Sequence, residues 1–339
     1  MNILIDMPVF EPKLKELNTI PGVKVKLVEL PEERLRPLPT DLIRNCDVLF
    51  CTFPPENHRE MTRLKLIQIS SAGYKQLIGQ GFGKRDIRAC NALGVFDIPI
   101  AEWNIAMMIN LARDMRRILH NQDDRIWDRS PRFQHEIRGS VVGIWGYGGI
   151  GRETARLAKA IGLKVHVLSR KGIKTRQNVY CVEGTGDPLG VLPDKVFLME
   201  EKEAFFKSLD YLIIAMPQTD SNEGIMDKEA FAALKPTAFV LNPARGPLIE
   251  EQALLDALRN GQIAGAALDT HYYYPMPEEH PLWQMPNVIL TPHISGSSAS
   301  PKFLERVWDI FVHNVGRLVS GKELLNELSK EDLGDNLNH

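Results

Sequence analysis

Six consecutive residues, Gly146-Tyr147-Gly148-Gly149-Ile150-Gly151, have the types and spacing that bring backbone close to a phosphate. The apolar run Val141-Val142-Gly143-Ile144-Trp145 leads in like a strand, and Ile150, Thr154, Leu157 and Ile161 follow on one helical face. Gly162 supplies the stop, and Lys164-Val165-His166-Val167-Leu168 reads as the next strand, which completes a βαβ unit of about 30 residues. The first glycine permits a tight turn, the second lets backbone reach a pyrophosphate, and the third lets helix and sheet pack closely. The helix N-terminus then faces the negative charge. A lone glycine pattern is weak evidence; flanked by strand and helix it points to dinucleotide binding. Two later apolar runs, Ala264–Leu268 and Val288–Leu290, each end in a polar residue, Asp269 and then Thr291-Pro292-His293. Ligands bind at the carboxyl ends of strands in open α/β sheets, so these terminal residues are candidates for chemistry.

The elements that must hold these residues repeat a βα rhythm. Tyr211–Ala215 and Ala238–Leu241 are continuous apolar runs, as strands buried on both faces should be, and Glu250–Arg259 is an amphipathic helix stopped by Asn260-Gly261. Before the glycine loop, Asn2–Ile5, Val23–Val28, Asp47–Cys51 and Leu66–Ser70 read as strands of a smaller parallel unit. Pro99 through Leu119 reads as one long connecting helix, and Pro301–Leu318 as a last helix that returns to the N-terminal unit. The stretch from Arg170 to Phe197 exceeds a usual βα loop and is either a flap near the adenosine end or a plain surface insertion. Asp332–His339 reads as a polar tail without fixed structure.

Composition excludes several classes. With 339 residues the length suits about two domains, and 44% apolar and 25% charged residues are ordinary for a globular chain. A net charge of −2 gives no electrostatic reason to expect nucleic acid or an anionic membrane. No run approaches the ~18 apolar residues that span a bilayer. The N-terminus lacks a signal peptide's basic start. Cys46, Cys51, Cys90 and Cys181 show no metal-binding spacing, so free thiols and a cytoplasmic setting are expected.

Four segments follow the glycine loop in order: Asn242-Pro243-Ala244-Arg245-Gly246, Gly265-Ala266-Ala267-Leu268-Asp269, Glu279-His280-Pro281-Leu282-Trp283 and Thr291-Pro292-His293-Ile294-Ser295-Gly296. Together with Ser71-Ala72-Gly73 and Ala101-Glu102-Trp103 they closely resemble the D-isomer-specific 2-hydroxyacid dehydrogenases, including glyoxylate and hydroxypyruvate reductases. The resemblance implies two doubly wound parallel-sheet α/β domains, a Rossmann-type nucleotide domain (101–294) inserted into a flavodoxin-like substrate domain (1–100 with 295–339). It implies hydride exchange between NADP(H) or NAD(H) and a 2-ketoacid/D-2-hydroxyacid pair, and a homodimer built through Ala101–His120 and the arm Asn121–Glu136 with Trp127. Arg245 would bind the carboxylate and carbonyl, since its planar fork matches a carboxylate and stays charged. His293 would be the general acid/base. Ser71, Ala72 and Gly73 would hold the carboxylate through backbone N–H groups. The cofactor would meet Gly146, Gly148, Gly149, Ile150, Gly151, Ser169, Arg170, Pro217, Ala244, Asp269 and Gly296, with a strand-end cap the lesser reading of Asp269.

Two places depart from the family pattern. The family's usual glutamate, five positions after the aspartate, falls on Tyr274 within His271-Tyr272-Tyr273-Tyr274-Pro275. Tyr274 either orients His293 through its hydroxyl, without the negative charge that favours imidazolium, or catalysis is weakened. The three tyrosines read as an aromatic wall or as packing. The strand after the glycine helix ends Leu168-Ser169-Arg170-Lys171, with no acid for a ribose 2′-hydroxyl. Arg170 and Ser169 suit a 2′-phosphate, which favours NADP(H) unless this is only a basic turn. A dinucleotide-sensing binding protein of the corepressor type is the alternative function.

Overall fold

The computed structural model describes residues 1–335. In chain order the elements begin with β1 (Asn2–Asp6), α1 (Glu11–Asn18), β2 (Lys24–Leu27), the single turn α2 (Thr40–Ile43), β3 (Val48–Cys51), β4 (Leu66–Ile69) and β5 (Arg88–Cys90). Next come α3 (Asp97–Ala112), α4 (Met115–Asp123), β6 (Val141–Trp145), α5 (Gly149–Ala160), β7 (Lys164–Leu168), β8 (Lys195–Phe197) and α6 (Lys202–Lys207). The chain continues through β9 (Tyr211–Ile214), α7 (Lys228–Ala232), β10 (Phe239–Asn242), α8 (Glu251–Arg259), β11 (Gly265–Leu268), β12 (Val288–Leu290) and α9 (Pro301–Val319).

These elements form two compact units. Unit 1 comprises Met1–Phe96, Gln177–Val182 and residues from Ser298 onward; unit 2 comprises Asp97–Arg176 and Glu183–Ser297. The divisions lie a few residues from 100/101 and 294/295, because α3 starts at Asp97 and packs along α5. Six residues of the long insertion, Gln177–Val182, join unit 1.

Unit 1 is a five-stranded sheet in the order β2-β1-β3-β4-β5, every pair parallel, which is the flavodoxin-like order. Alternate residues of β1 enter different cores: Ile3 and Ile5 pack with Phe50, Trp308 and Phe311, whereas Leu4 joins Leu49, Ile67 and Phe82. Burial of both faces explains why these strands are continuously apolar. α9 seals the first face: Phe311 stacks on Phe50 at 4.2 Å, and the Trp308 indole donates to the Pro8 carbonyl.

Unit 2 is a seven-stranded parallel sheet in the order β12-β11-β10-β9-β6-β7-β8, the doubly wound nucleotide-binding arrangement with its reversal between β6 and β9. Ile144, Val165 and Ile213 fill one face, and Trp145, Leu212 and Val240 fill the other.

Three expectations change. The segment Pro99–Leu119 is two helices, because Asp114 adopts φ 46° and breaks the hydrogen-bond ladder between α3 and α4. β5 and β8, three residues each, were not visible as strands; both are edge strands, β5 in unit 1 and β8 in unit 2. The start of the expected tail is folded: Asp332 accepts from Ser329, and buried Asp335 accepts the Gly83 N–H at 2.7 Å. The rest of that tail, 336–339, lies outside the described residues. Among the described residues no helix is long and apolar enough to cross a membrane, and no His/Cys/Asp/Glu group is arranged for a metal ion.

Candidate active site

In unit 2 the glycine loop leaves the carboxyl end of β6. Gly146 has φ 100°, and a Cβ there would stand 2.7 Å from the Ala215 carbonyl oxygen, so only glycine makes this turn. Gly148 is the opposite case: the space beside its α-carbon is open, which leaves room for a ligand to meet backbone before α5 begins at Gly149. The loop therefore fits a dinucleotide pyrophosphate at a helix N-terminus. Ile150 lies in the first turn of α5 and Pro217 is exposed just beyond β9. Past β7, Ser169 donates its hydroxyl to the Gly172 carbonyl at 2.8 Å, while Arg170 and Lys171 are exposed.

Arg245 follows the carboxyl end of β10. Asn242 shapes its turn: the side-chain carbonyl accepts the Ala244 N–H at 3.1 Å and the amide donates to the Arg245 carbonyl at 2.8 Å. The exposed guanidinium donates to the Ala244 carbonyl at 2.6 Å, which leaves further N–H groups of its fork for an anion.

β11 and β12 together build the histidine. Asp269, 0% exposed at the end of β11, accepts from the Thr291 hydroxyl at 2.5 Å, the Ile294 N–H at 2.9 Å and the Ser295 N–H at 3.0 Å. It also takes the Ser295 hydroxyl. A turn wrapped around one buried carboxylate holds His293 at φ 57°, a left-handed conformation uncommon outside glycine. The Trp103 indole donates to Thr291 Oγ1 at 3.2 Å and so ties α3 to the same turn. Gly296 follows immediately, half-buried.

Tyr274 stands at the histidine. Its oxygen lies 3.2 Å from His293 Nδ1 and also accepts the His271 N–H at 3.3 Å. The phenol can serve either tautomer: its hydroxyl donates to an unprotonated Nδ1, and its oxygen accepts from a protonated one. The other two tyrosines turn away. Tyr272 donates to the Ile249 carbonyl and Tyr273 to Glu251 Oε2, while His280 Nε2 pairs with Glu251 Oε1 at 2.7 Å, so this part of the loop packs against the start of α8. Desolvation pulls the His293 pKa below its ordinary value; the Asp269 charge raises it, and Arg245 and His271 oppose that rise. His271 is buried, with Nε2 donating to the Thr291 carbonyl at 2.8 Å.

Ser71, Ala72 and Gly73 belong to unit 1, just past the carboxyl end of β4. Ser71 donates its hydroxyl to the Gly73 carbonyl at 2.7 Å and Asn91 donates to the Ala72 carbonyl at 2.8 Å, so the turn's carbonyls are engaged by the protein.

The seven-stranded parallel sheet with its reversal beside the glycine loop is the arrangement of dinucleotide-binding domains. Residues 105–295, more than half of the chain, match the D-isomer specific 2-hydroxyacid dehydrogenase NAD binding domain. The chain belongs to that family, whose members use NAD(H) or NADP(H). It is 28% identical over 288 residues to a glyoxylate reductase of Thermofilum pendens, covering 83% of this chain and 80% of the relative. A D-isomer specific 2-hydroxyacid dehydrogenase family protein from Aeromonas salmonicida superposes with a TM-score of 0.75 at 25% identity, covering 97% of this chain and 98% of the other. The fold is shared with the NAD-complexed D-isomer specific 2-hydroxyacid dehydrogenase of Lactobacillus delbrueckii, TM-score 0.76 at 20% identity, which covers 97% and 99% of the two chains.

Proposed function

We propose that this protein reduces a small 2-ketoacid, of the glyoxylate or hydroxypyruvate kind, to the D-2-hydroxyacid with NADP(H). The observation that carries the reading is the His293 turn: a histidine clamped by a buried carboxylate, oriented by a hydroxyl, beside Arg245 at the ends of β10–β12. A bound nicotinamide supplies or takes the hydride. Arg245 pairs with the substrate's carboxylate and polarises its carbonyl. His293 presents Nε2 to the carbonyl oxygen, gives a proton in reduction and recovers it in oxidation. Ser71, Ala72 and Gly73 supply backbone N–H groups for the carboxylate. Tyr274 takes the orienting place of the family's glutamate without its charge.

The glycine-loop residues with Ile150, Pro217, Ala244 and Gly296 are proposed to line the cofactor, and Asp269 to serve it indirectly by holding the His293 turn. NADP(H) is favoured because no carboxylate ends β7 and Arg170 is exposed there to meet a 2′-phosphate. A homodimer is proposed through Ala101–His120 and the arm Asn121–Glu136. Trp127 is 91% exposed in that arm, and a cavity of about 920 Å³ lined by Met115, Arg116, His120, Arg132, Tyr211 and Pro286 lies in the same unit. The buried free thiols of Cys46, Cys51 and Cys90 support a reducing, cytoplasmic setting.

The test is a cofactor-absorbance assay of the purified protein with NADPH and NADH against a ketoacid panel. The expected result is turnover that is lost in Arg245→Ala and in His293→Ala. Tight dinucleotide binding with no turnover on any ketoacid would refute the enzyme and leave the dinucleotide-sensing reading.

A further inference from the structure

The insertion between β7 and β8 is sewn to the glycine loop at one place. Tyr147, between the first two glycines, donates its hydroxyl to Asp187 Oδ2 at 2.7 Å. Asp187 is 4% exposed, and its carboxylate also accepts the N–H groups of Gly190, Val191 and Leu192, each at 3.0 Å. A carboxylate with four donors is a fixed point, and burial without them would be costly. Arg152, in the first turns of α5 and also 4% exposed, works from the other side. Its Nε donates to the Tyr147 carbonyl at 3.1 Å and its guanidinium lies 4.9 Å from the Tyr147 ring centroid. The same guanidinium donates to the carbonyls of Lys174 and Asp187 within the insertion. Next along α5, Glu153 accepts the Gly186 N–H at 2.6 Å. Backbone carbonyl, ring and hydroxyl of Tyr147 are thus all gripped, and every grip leads to residues 174–192 or to the helix residue that holds them.

We propose that the Tyr147–Asp187 bond is a latch through which the insertion pre-forms the glycine loop for its dinucleotide, with Tyr147, Asp187 and Arg152 as positioning residues. The inference rests on the dinucleotide reading of that loop. A free glycine-rich segment loses more conformational entropy on ordering than other sequences. Holding Tyr147 in place meets that cost during folding, so less of the dinucleotide's binding energy goes into ordering the loop. An insertion that served only as surface covering would grip helix or sheet, with no need to reach the one side chain between the first two glycines.

The test is dinucleotide affinity, measured by titrating NADPH into the full chain, for wild type, Tyr147→Phe, Asp187→Asn and the double variant. Tyr147→Phe keeps the ring and the Arg152 contact and removes only the latch. The expected result is about tenfold weaker binding in each single variant, the scale of one hydrogen bond to a charged group. The double variant should be no weaker than the worse single. Amide exchange at 146–151 in the unliganded protein should be faster in Tyr147→Phe, with the melting temperature near wild type. Unchanged affinity in Tyr147→Phe overturns the latch, and so do losses that multiply in the double variant. Wild-type protein that binds neither NADPH nor NADH would instead overturn the dinucleotide reading itself.

Discussion

Replacing Tyr274 tests the reasoning about His293 most directly. The phenol oxygen is 3.2 Å from Nδ1. A glutamate side chain is about 2–3 Å shorter than a tyrosine, so in Tyr274→Glu the carboxylate would stand ~5–6 Å from the ring unless the loop closes. At that distance an effective dielectric of 20–40 gives ~1.5–3 kcal/mol. Tyr274 is 60% exposed, so solvent screening brings the effect towards about 1.4 kcal/mol, one pH unit. The sign follows from charge: a carboxylate favours imidazolium, so the His293 pKa rises and the protonated fraction above it grows about tenfold. Ketoacid reduction, which needs the imidazolium, should therefore persist to a pH about one unit higher in Tyr274→Glu. Tyr274→Phe removes the orienting hydrogen bond, worth about 1 kcal/mol, and should slow reduction roughly fivefold without extending the profile upward. The assays are pH–rate profiles together with an NMR titration of the His293 imidazole. A Glu variant with the wild-type rate and profile, or a Phe variant indistinguishable from wild type, would show that Tyr274 does not act on the histidine.

Arg170→Asp should lower kcat/KM for NADPH at least tenfold and raise it for NADH, since a carboxylate repels a 2′-phosphate and suits a ribose 2′-hydroxyl; steady-state comparison of the two cofactors checks this. Asp269→Asn leaves donors from Thr291, Ile294 and Ser295 facing an amide, and should cost about 2–4 kcal/mol in urea unfolding, with reduction also slowed as His293 loses its held geometry. Trp127→Arg should leave unfolding stability nearly unchanged, because the ring is exposed, yet convert a dimer to monomers by light scattering.

What was legible in the sequence followed from strong local periodicity. The glycine loop could be read because its lead-in strand and its helix each span at least five residues with clear patterns. Arg245 and His293 were readable as strand-end residues in motifs, and both lie past strand carboxyl ends. β5 (Arg88-Ala89-Cys90) and β8 (Lys195-Val196-Phe197) escaped because each opens on a charged residue and leaves too short an apolar run, whereas the equally short β12 is apolar throughout. The break at Asp114 escaped because the apolar stripe runs on through Met115, and one residue's left-handed backbone leaves no mark in periodicity. The grip of Asp187 on Tyr147 spans 40 residues and belongs to an irregular segment, so only the fold brings it into view. Likewise the partners of Asp269 lie more than 20 residues away. A buried carboxylate's role is set by which donors the chain returns to it.

Tyrosine and glutamate at position 274 differ in more than charge. A carboxylate only accepts, so it favours a proton on Nδ1 and leaves Nε2 to exchange one with the substrate. A phenol both donates and accepts, so the histidine's tautomer follows the rotation of one hydroxyl. The Tyr274 oxygen accepts the His271 N–H and keeps a further lone pair, so its hydroxyl donates to an unprotonated Nδ1 and its oxygen accepts from a protonated one. When His293 becomes imidazolium, Nδ1 must donate as well, and the phenol oxygen then accepts from both His271 and His293 while its own hydrogen turns elsewhere. Exposure decides what that costs. At 60% exposed, Tyr274 can give the displaced hydrogen to water, and the turn is inexpensive. Were it buried, a stranded hydroxyl would add the full penalty of an unpaired donor to every catalytic cycle. In the proposed mechanism the openness of Tyr274 is therefore what lets a neutral side chain orient the histidine.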